Sequence, residues 1–216
     1  MRNAFIFLLL FTSSFYINAQ GNSARTLLDE VSKKIESYNN VYLEFNYNLE
    51  NKAEKVNQET RGNLTFQKNL YNLKYLGIER VFDGKKVYTI VHEDEEVVIS
   101  KNDKNDEGSI TPSKMFNFYK NGYTIKMDIV QKNGGREIQF VKLIPIDSNS
   151  EVRYILVGID TQTKHISKLI EVGNNGTQTT LLVTNFKTNQ QISNKLFTFD
   201  LAKYKTEKRY IISEIK

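Results

Sequence analysis

Cysteine is absent from all 216 residues. No disulfide can staple the fold and no lipobox cysteine can carry a lipid, so the expectation is a chain held by its own core and unanchored in its compartment. Histidine is nearly absent as well: His92 and His165 are the whole supply. His92 abuts the acidic run Glu93-Asp94-Glu95-Glu96 at an expected hairpin tip, and His165 follows an expected turn at 161–164. Both are expected on the surface, and two separated histidines do not make the clustered donor set that zinc commonly needs. There is no Gly-x-Ser-x-Gly elbow, no phosphate loop and no His and Cys pairing. Acidic neighbours such as Asp29 and Glu30 read as solvated helix surface. The expectation is a protein without catalysis, metal or cofactor.

Long apolar runs are lacking too. The longest follows Arg2 in MRNAFIFLLLFTSSFYINAQ, covering residues 4–11 ahead of Ser, Thr and Asn and then Ala19. That falls well short of the roughly 18 to 20 residues that span a bilayer, and the order of charge, apolar run and small polar residues is that of a secretory signal peptide. Cleavage is expected after Ala19. Removing 19 of 216 residues leaves 197, and loss of Arg2 takes the formal charge from +5 to +4. No linker or low-complexity stretch divides residues 20–216, which are expected to form one domain. The basic excess is spread along the chain and not bunched, so attraction to anionic surfaces is expected to be weak. In LYNLKY the aromatic and basic residues alternate across a strand, which argues against a nucleic-acid face.

What the chain has in quantity is period-two patterning. In VYLEFNYNLE, at residues 41–50, apolar side chains fall on Val41, Leu43, Phe45, Tyr47 and Leu49, giving one apolar and one polar face. An amphipathic helix precedes it at 23–38, with Ser23 placed to cap and Leu27, Leu28, Val31, Ile35 and Tyr38 at helical spacing. Strands are expected near 41–50, 60–67, 70–77, 79–83, 85–92, 95–101, 123–132, 136–144, 152–160, 165–172 and 177–187, punctuated by turns such as Asp83-Gly84 and Asn133-Gly134-Gly135. Thr111, Pro112 and Gly122 bracket a second short helix carrying Met115, Phe116, Phe118 and Tyr119. The C-terminal piece from Leu196 onward is open to adding one more edge segment, whose place the pattern does not fix. The fold class is thus mainly β, a single unclosed antiparallel β-barrel of about eleven strands. About eight strands already enclose an interior that side chains fill, so eleven leave room. The inner faces are too apolar for water, and the two helices are the obvious occupants.

Several stretches follow one another along nearly the whole expected mature chain. They are LLDEVSKKIESYNNV running into LEFNYNL, RGNLTFQKNLYNLKY with Gly62 ahead of an aromatic-rich hairpin, and VFDGKKVYTI with its Asp83-Gly84-Lys85 turn. The helix start at Thr111-Pro112, the strand end Leu143-Ile144-Pro145 and a closing Phe197-Thr198-Phe199 complete the series. In that order and spacing they resemble the LolA family of periplasmic outer-membrane lipoprotein carriers. The resemblance implies an apolar cavity under helical lids and a monomeric periplasmic carrier. Its cargo would be lipidated proteins held by their acyl chains, received from an inner-membrane ABC-type release complex and passed to an outer-membrane acceptor. Receptors of the same fold carry a lipidated N-terminal cysteine, so its absence favours carrier over receptor. The same shape would also suit a module that binds or senses another lipid or hydrophobic small molecule.

Leu43, Phe45 and Tyr47, with Leu64, Phe66, Tyr71, Leu73 and Tyr75, are the candidate cavity wall. Leu27, Val31 and Ile35 of the first helix, with Met115, Phe116, Phe118 and Tyr119, are the candidate lid. Well-known family members carry an Arg, followed by Pro, that ties the lid shut. The corresponding stretch here is Phe66-Gln67-Lys68-Asn69-Leu70-Tyr71, where Lys68 stands nearest the Arg and no Pro follows. A lysine can hold a lid carbonyl as a point donor but lacks the planar fork of a guanidinium.

Overall fold

The alternation of apolar and polar residues becomes strand over most of the chain. The computed structural model describes residues 16–101 and 116–215. One helix, α1 (Tyr16–Glu36), is followed by β1 (Val41–Asn51), β2 (Val56–Gln67), β3 (Leu70–Tyr75), β4 (Ile78–Phe82), β5 (Lys86–Val91) and β6 (Glu96–Lys101). After the 3-10 turn Phe118–Lys120 come β7 (Tyr123–Asn133), β8 (Arg136–Pro145), β9 (Val152–Asp160), β10 (Ile166–Gly173), β11 (Gln178–Thr188) and, near the C-terminus, β12 (Ile211–Ile215). All twelve form a single sheet in the order β12-β6-β5-β4-β3-β2-β1-β11-β10-β9-β8-β7, which stays open between β12 and β7.

The eleven expected strands are all present, and β12 is a twelfth. It runs parallel to β6, from Ile211 beside Glu96 to Ile215 beside Ser100, whereas the other pairings are antiparallel. A parallel neighbour needs a long crossover and no tight turn. Residues 189–210 supply it, which is why turn signals alone did not place this segment. The hairpins are closed by local chemistry: Asp83 Oδ1 accepts the backbone N–H groups of Lys85 and Lys86, each at 2.8 Å, while Gly84 takes φ +95°.

α1 also departs from expectation. It begins at Tyr16 and not at Ser23, and it ends at Glu36 and not at Tyr38. No proline separates Tyr16 from Ser23 and the single Gly21 costs only about 1 kcal/mol, so the capping residue is bypassed. At the other end the backbone N–H of Ser37 reaches Lys33 O and that of Tyr38 reaches Ile35 O, a tightening last turn.

Both sheet faces carry apolar clusters. The concave face packs β1–β5 and β7–β11 side chains against α1, whose Ala24, Leu27, Leu28, Val31 and Ile35 are buried at helical spacing. On the convex face Val81, Ile90, Val97 and Ile99 form a smaller cluster under Tyr88, Phe199, Tyr204, Tyr210 and Ile212. The crossover to β12 therefore straps the outside of β4–β6. Tyr88 donates to Asp83 Oδ2 at 2.9 Å, and burial first, then this bond, pushes its pKa up to about 12.

Candidate functional site

The concave face is where the expected site residues meet. Leu43 and Phe45 of β1, Leu64 and Phe66 of β2, and Tyr71 and Leu73 of β3 are all buried in one cluster with Leu27, Val31 and Ile35 of α1. Phe116 and Tyr119 belong to the same cluster, and Tyr47, Tyr75 and Phe118 are half-buried against it. Phe66 and Phe116 place their ring centroids 5.5 Å apart, and Tyr47 meets Tyr75 edge-on at 6.3 Å. Sheet wall and stopper thus touch directly. The room expected above the sheet is occupied by the protein's own apolar side chains. Met115, Thr111 and Pro112 lie outside the described residues.

The polar ties show how the stopper is held. Tyr119 donates to Asp29 Oδ1 at 2.7 Å, Ser32 Oγ donates to Asn117 Oδ1 at 2.8 Å, and Arg25 Nη1 donates to Lys120 O at 3.4 Å. Burial, and then the bond to Asp29, raises the Tyr119 pKa, so the phenol remains the donor. These bonds join the 116–120 segment to α1 and not to the sheet. Lys68 stands exposed in the β2–β3 turn with φ +54° and has no hydrogen-bond or ion-pair partner among the described residues. Nothing in the sequence pattern pointed to the Tyr119–Asp29 pair, since the two are 90 positions apart.

α1 is anchored to the sheet mainly at its C-terminal end. Asn40, only 6% exposed, donates from Nδ2 to Gln190 O and accepts the Gln190 N–H at Oδ1, while Asn39 N–H reaches Asn189 Oδ1. Farther along the helix one surface ion pair, Glu30 to Lys164 at 3.0 Å, ties it to the β9–β10 turn. Beside that pair a cleft of about 520 Å³ runs between α1 and the sheet, lined by Leu27, Met127, Gln139 and Thr161 among others.

His165 corrects an expectation. It is not a free surface side chain: its ring stacks on Phe186 at 4.0 Å and its Nε2 lies 2.8 Å from the Tyr38 hydroxyl. Burial, then the charge of Lys34, holds its pKa below the ordinary value against a smaller opposing pull from Asp160. His92 is exposed, as expected. Among the described residues no group of three His, Cys, Asp or Glu could hold a metal ion, and no helix is long and apolar enough to cross a membrane.

Sequence reasoning also missed Glu171. Its register opposite Ile155 places it on the concave face, where burial raises its pKa and where it lies near Tyr123. An isolated acid in a strand of mixed pattern gives no signal of which way it points.

The model of the family described as "Outer membrane lipoprotein carrier protein LolA" matches residues 36–200. None of the curated proteins matches the chain in sequence. Among solved structures, a conserved uncharacterized protein from Thermus thermophilus superposes with a TM-score of 0.61 at 12% identity, covering 89% of this chain and 99% of that one. The Mycobacterium tuberculosis lipoprotein LppX gives 0.45 at 10% identity over 78% of this chain and 98% of that one. A LolA superfamily protein from Nitrosomonas europaea gives 0.43 at 9% identity, with coverages of 82% and 97%.

Proposed function

Because the chain belongs to the LolA family of outer membrane lipoprotein carrier proteins, we propose that it is an exported carrier that shelters the acyl chains of lipid-modified proteins between two membranes. In this reading it takes cargo from an ABC-type release complex in the inner membrane, passes it to an outer-membrane acceptor, and performs no catalysis. The observation that carries it is the concave apolar face plugged by two amphipathic pieces, α1 and residues 116–120, that are bonded to each other and only sparsely to the sheet. Cleavage after Ala19 would leave the buried residues of α1 among those described, from Ala24 to Ile35, on the mature chain.

The plug has an energetic role. Burying a methylene is worth about 0.8 kcal/mol, so three acyl chains of about 15 methylenes each carry roughly 35 kcal/mol of gross transfer free energy. Noncovalent binding saturates near about 20 kcal/mol. Lifting Leu27, Val31, Ile35, Phe116 and Tyr119 off the sheet offsets part of the gain, and release then becomes possible. Cargo replaces the plug's self-contacts at small net free energy.

The test is mass spectrometry of what co-purifies from the native envelope, paired with displacement of an environment-sensitive apolar dye by a triacylated lipopeptide. Triacylated peptides and dye displacement support the carrier. Other lipids in their place assign the same pocket to a different hydrophobe. No bound lipid and no dye uptake would overturn both readings.

A further inference from the structure

On the convex face, opposite the plugged interior, β2, β1, β11 and β10 place Arg61, Asn46, Leu182 and Lys168 in one cross-strand row, each directly beside the next. All four line a cleft of about 460 Å³. Among the described residues the side chains of Arg61, Asn46 and Lys168 have neither a hydrogen-bond nor an ion-pair partner. Elsewhere on the outer face Glu44 accepts from Tyr42 and Asn185, and Lys142 lies over the Tyr154 ring. Leu182 is the row's fourth member, 39% exposed on a polar surface.

We propose that this cleft binds a phosphate group, clamped between Arg61 and Lys168 above Asn46. Three strand spacings put the Cα atoms of the two cations about 14 Å apart, a span that two long side chains close to the width of one anion. A guanidinium meets two phosphate oxygens at once, the ammonium adds a movable point charge, and the Asn46 amide supplies a neutral donor from the floor. Glu59 and Glu44 flank the row on its two sides, their carboxylates engaged by Asn48 and by Tyr42 and Asn185, so the row itself carries two cations and no carboxylate, and the anion sits within it over Asn46. Leu182 gives the cleft an apolar flank, which suits the carbon skeleton of a phosphate ester. The site is separate from the interior and does not depend on the carrier reading.

Two sources share this chemistry, a phospholipid headgroup and a free phosphate ester. The experiment is an amide chemical-shift titration of the full mature chain with inorganic phosphate and with glycerol 3-phosphate, alongside sedimentation with phosphatidylglycerol vesicles. Expected are saturable shifts centred on Asn46, Arg61, Lys168 and Leu182, weakened roughly tenfold or more in the double variant Arg61→Gln/Lys168→Gln. That variant keeps wild-type thermal unfolding and wild-type uptake of an apolar dye by the interior. Sedimentation lost in the variant names the headgroup; soluble phosphates binding without sedimentation name the free ester. Absence of saturable shifts and of vesicle binding overturns the proposal, as does binding that the double variant leaves unchanged.

Discussion

Phe45 is a buried aromatic whose position depends on a neighbour having no side chain. Gly62 is its cross-strand partner, and a Cβ built there would lie 2.4 Å from Phe45 Cζ and 2.7 Å from Lys74 O. The ring could turn, but the carbonyl belongs to the sheet ladder and cannot retreat without breaking it. Gly62→Ala should therefore destabilise the protein by about 1–3 kcal/mol, read as a lower midpoint in urea at an unchanged slope. Glu171 makes the opposite point, as a residue whose native form costs stability. Burial raises its carboxyl pKa, so between the ordinary carboxylate range and that raised value the folded state holds more protons than the unfolded one. Stability from this group falls as pH rises through that window. Glu171→Gln should raise the melting temperature at pH 7 and change it little at pH 4; equal shifts at both pH values would show that the carboxyl's charge is not the cause.

At the scale of elements, the end of α1 is tied down at residues 38–40, and Glu30 pairs with Lys164 farther along the helix. Because that pair stands 3.0 Å apart, a zero-length carbodiimide can join it as an amide, and the linked protein should keep its fold yet lose most uptake of an apolar dye. Glu30→Gln cannot form the link and should keep uptake after the same treatment. Retained uptake in the linked wild type would mean that the dye enters without moving α1. Much at this scale was legible in advance. Eleven strands and the apolar face of α1 follow from period two and period 3.6, because burial on one face imposes those spacings whatever the partner. The burial of Leu43, Leu64 and Leu73 on one face was readable for that reason. The fastening of residues 116–120 and of the helix end was not: Tyr119–Asp29 and Asn40–Gln190 are hydrogen-bonded contacts across 90 and 150 positions, and no periodicity encodes them. The helix start failed differently, since Ser23 is a competent cap that the longer helix runs through.

For the molecule as a whole, the C-terminal strap decides how the sheet ends. The family match stops at residue 200, and Tyr204, Tyr210 and Ile212, which cover the outer cluster, lie beyond it. The strap does two separable things. Its aromatics stack in series, Tyr88 on Phe199 at 4.6 Å and Phe199 on Tyr204 at 4.9 Å, which shields Val81, Ile90, Val97 and Ile99 from water. Its strand occupies the edge of β6, whose unpaired backbone groups would otherwise offer a template for another chain. Ile212→Ala removes apolar cover and keeps the backbone ladder, so it should cost about 1–2 kcal/mol and leave the association state unchanged. Ending the chain after Asp200 removes both, and should add concentration-dependent association to the loss of stability. Light scattering against protein concentration separates the two. If the truncated chain stays monomeric at every concentration, edge protection is not what β12 contributes.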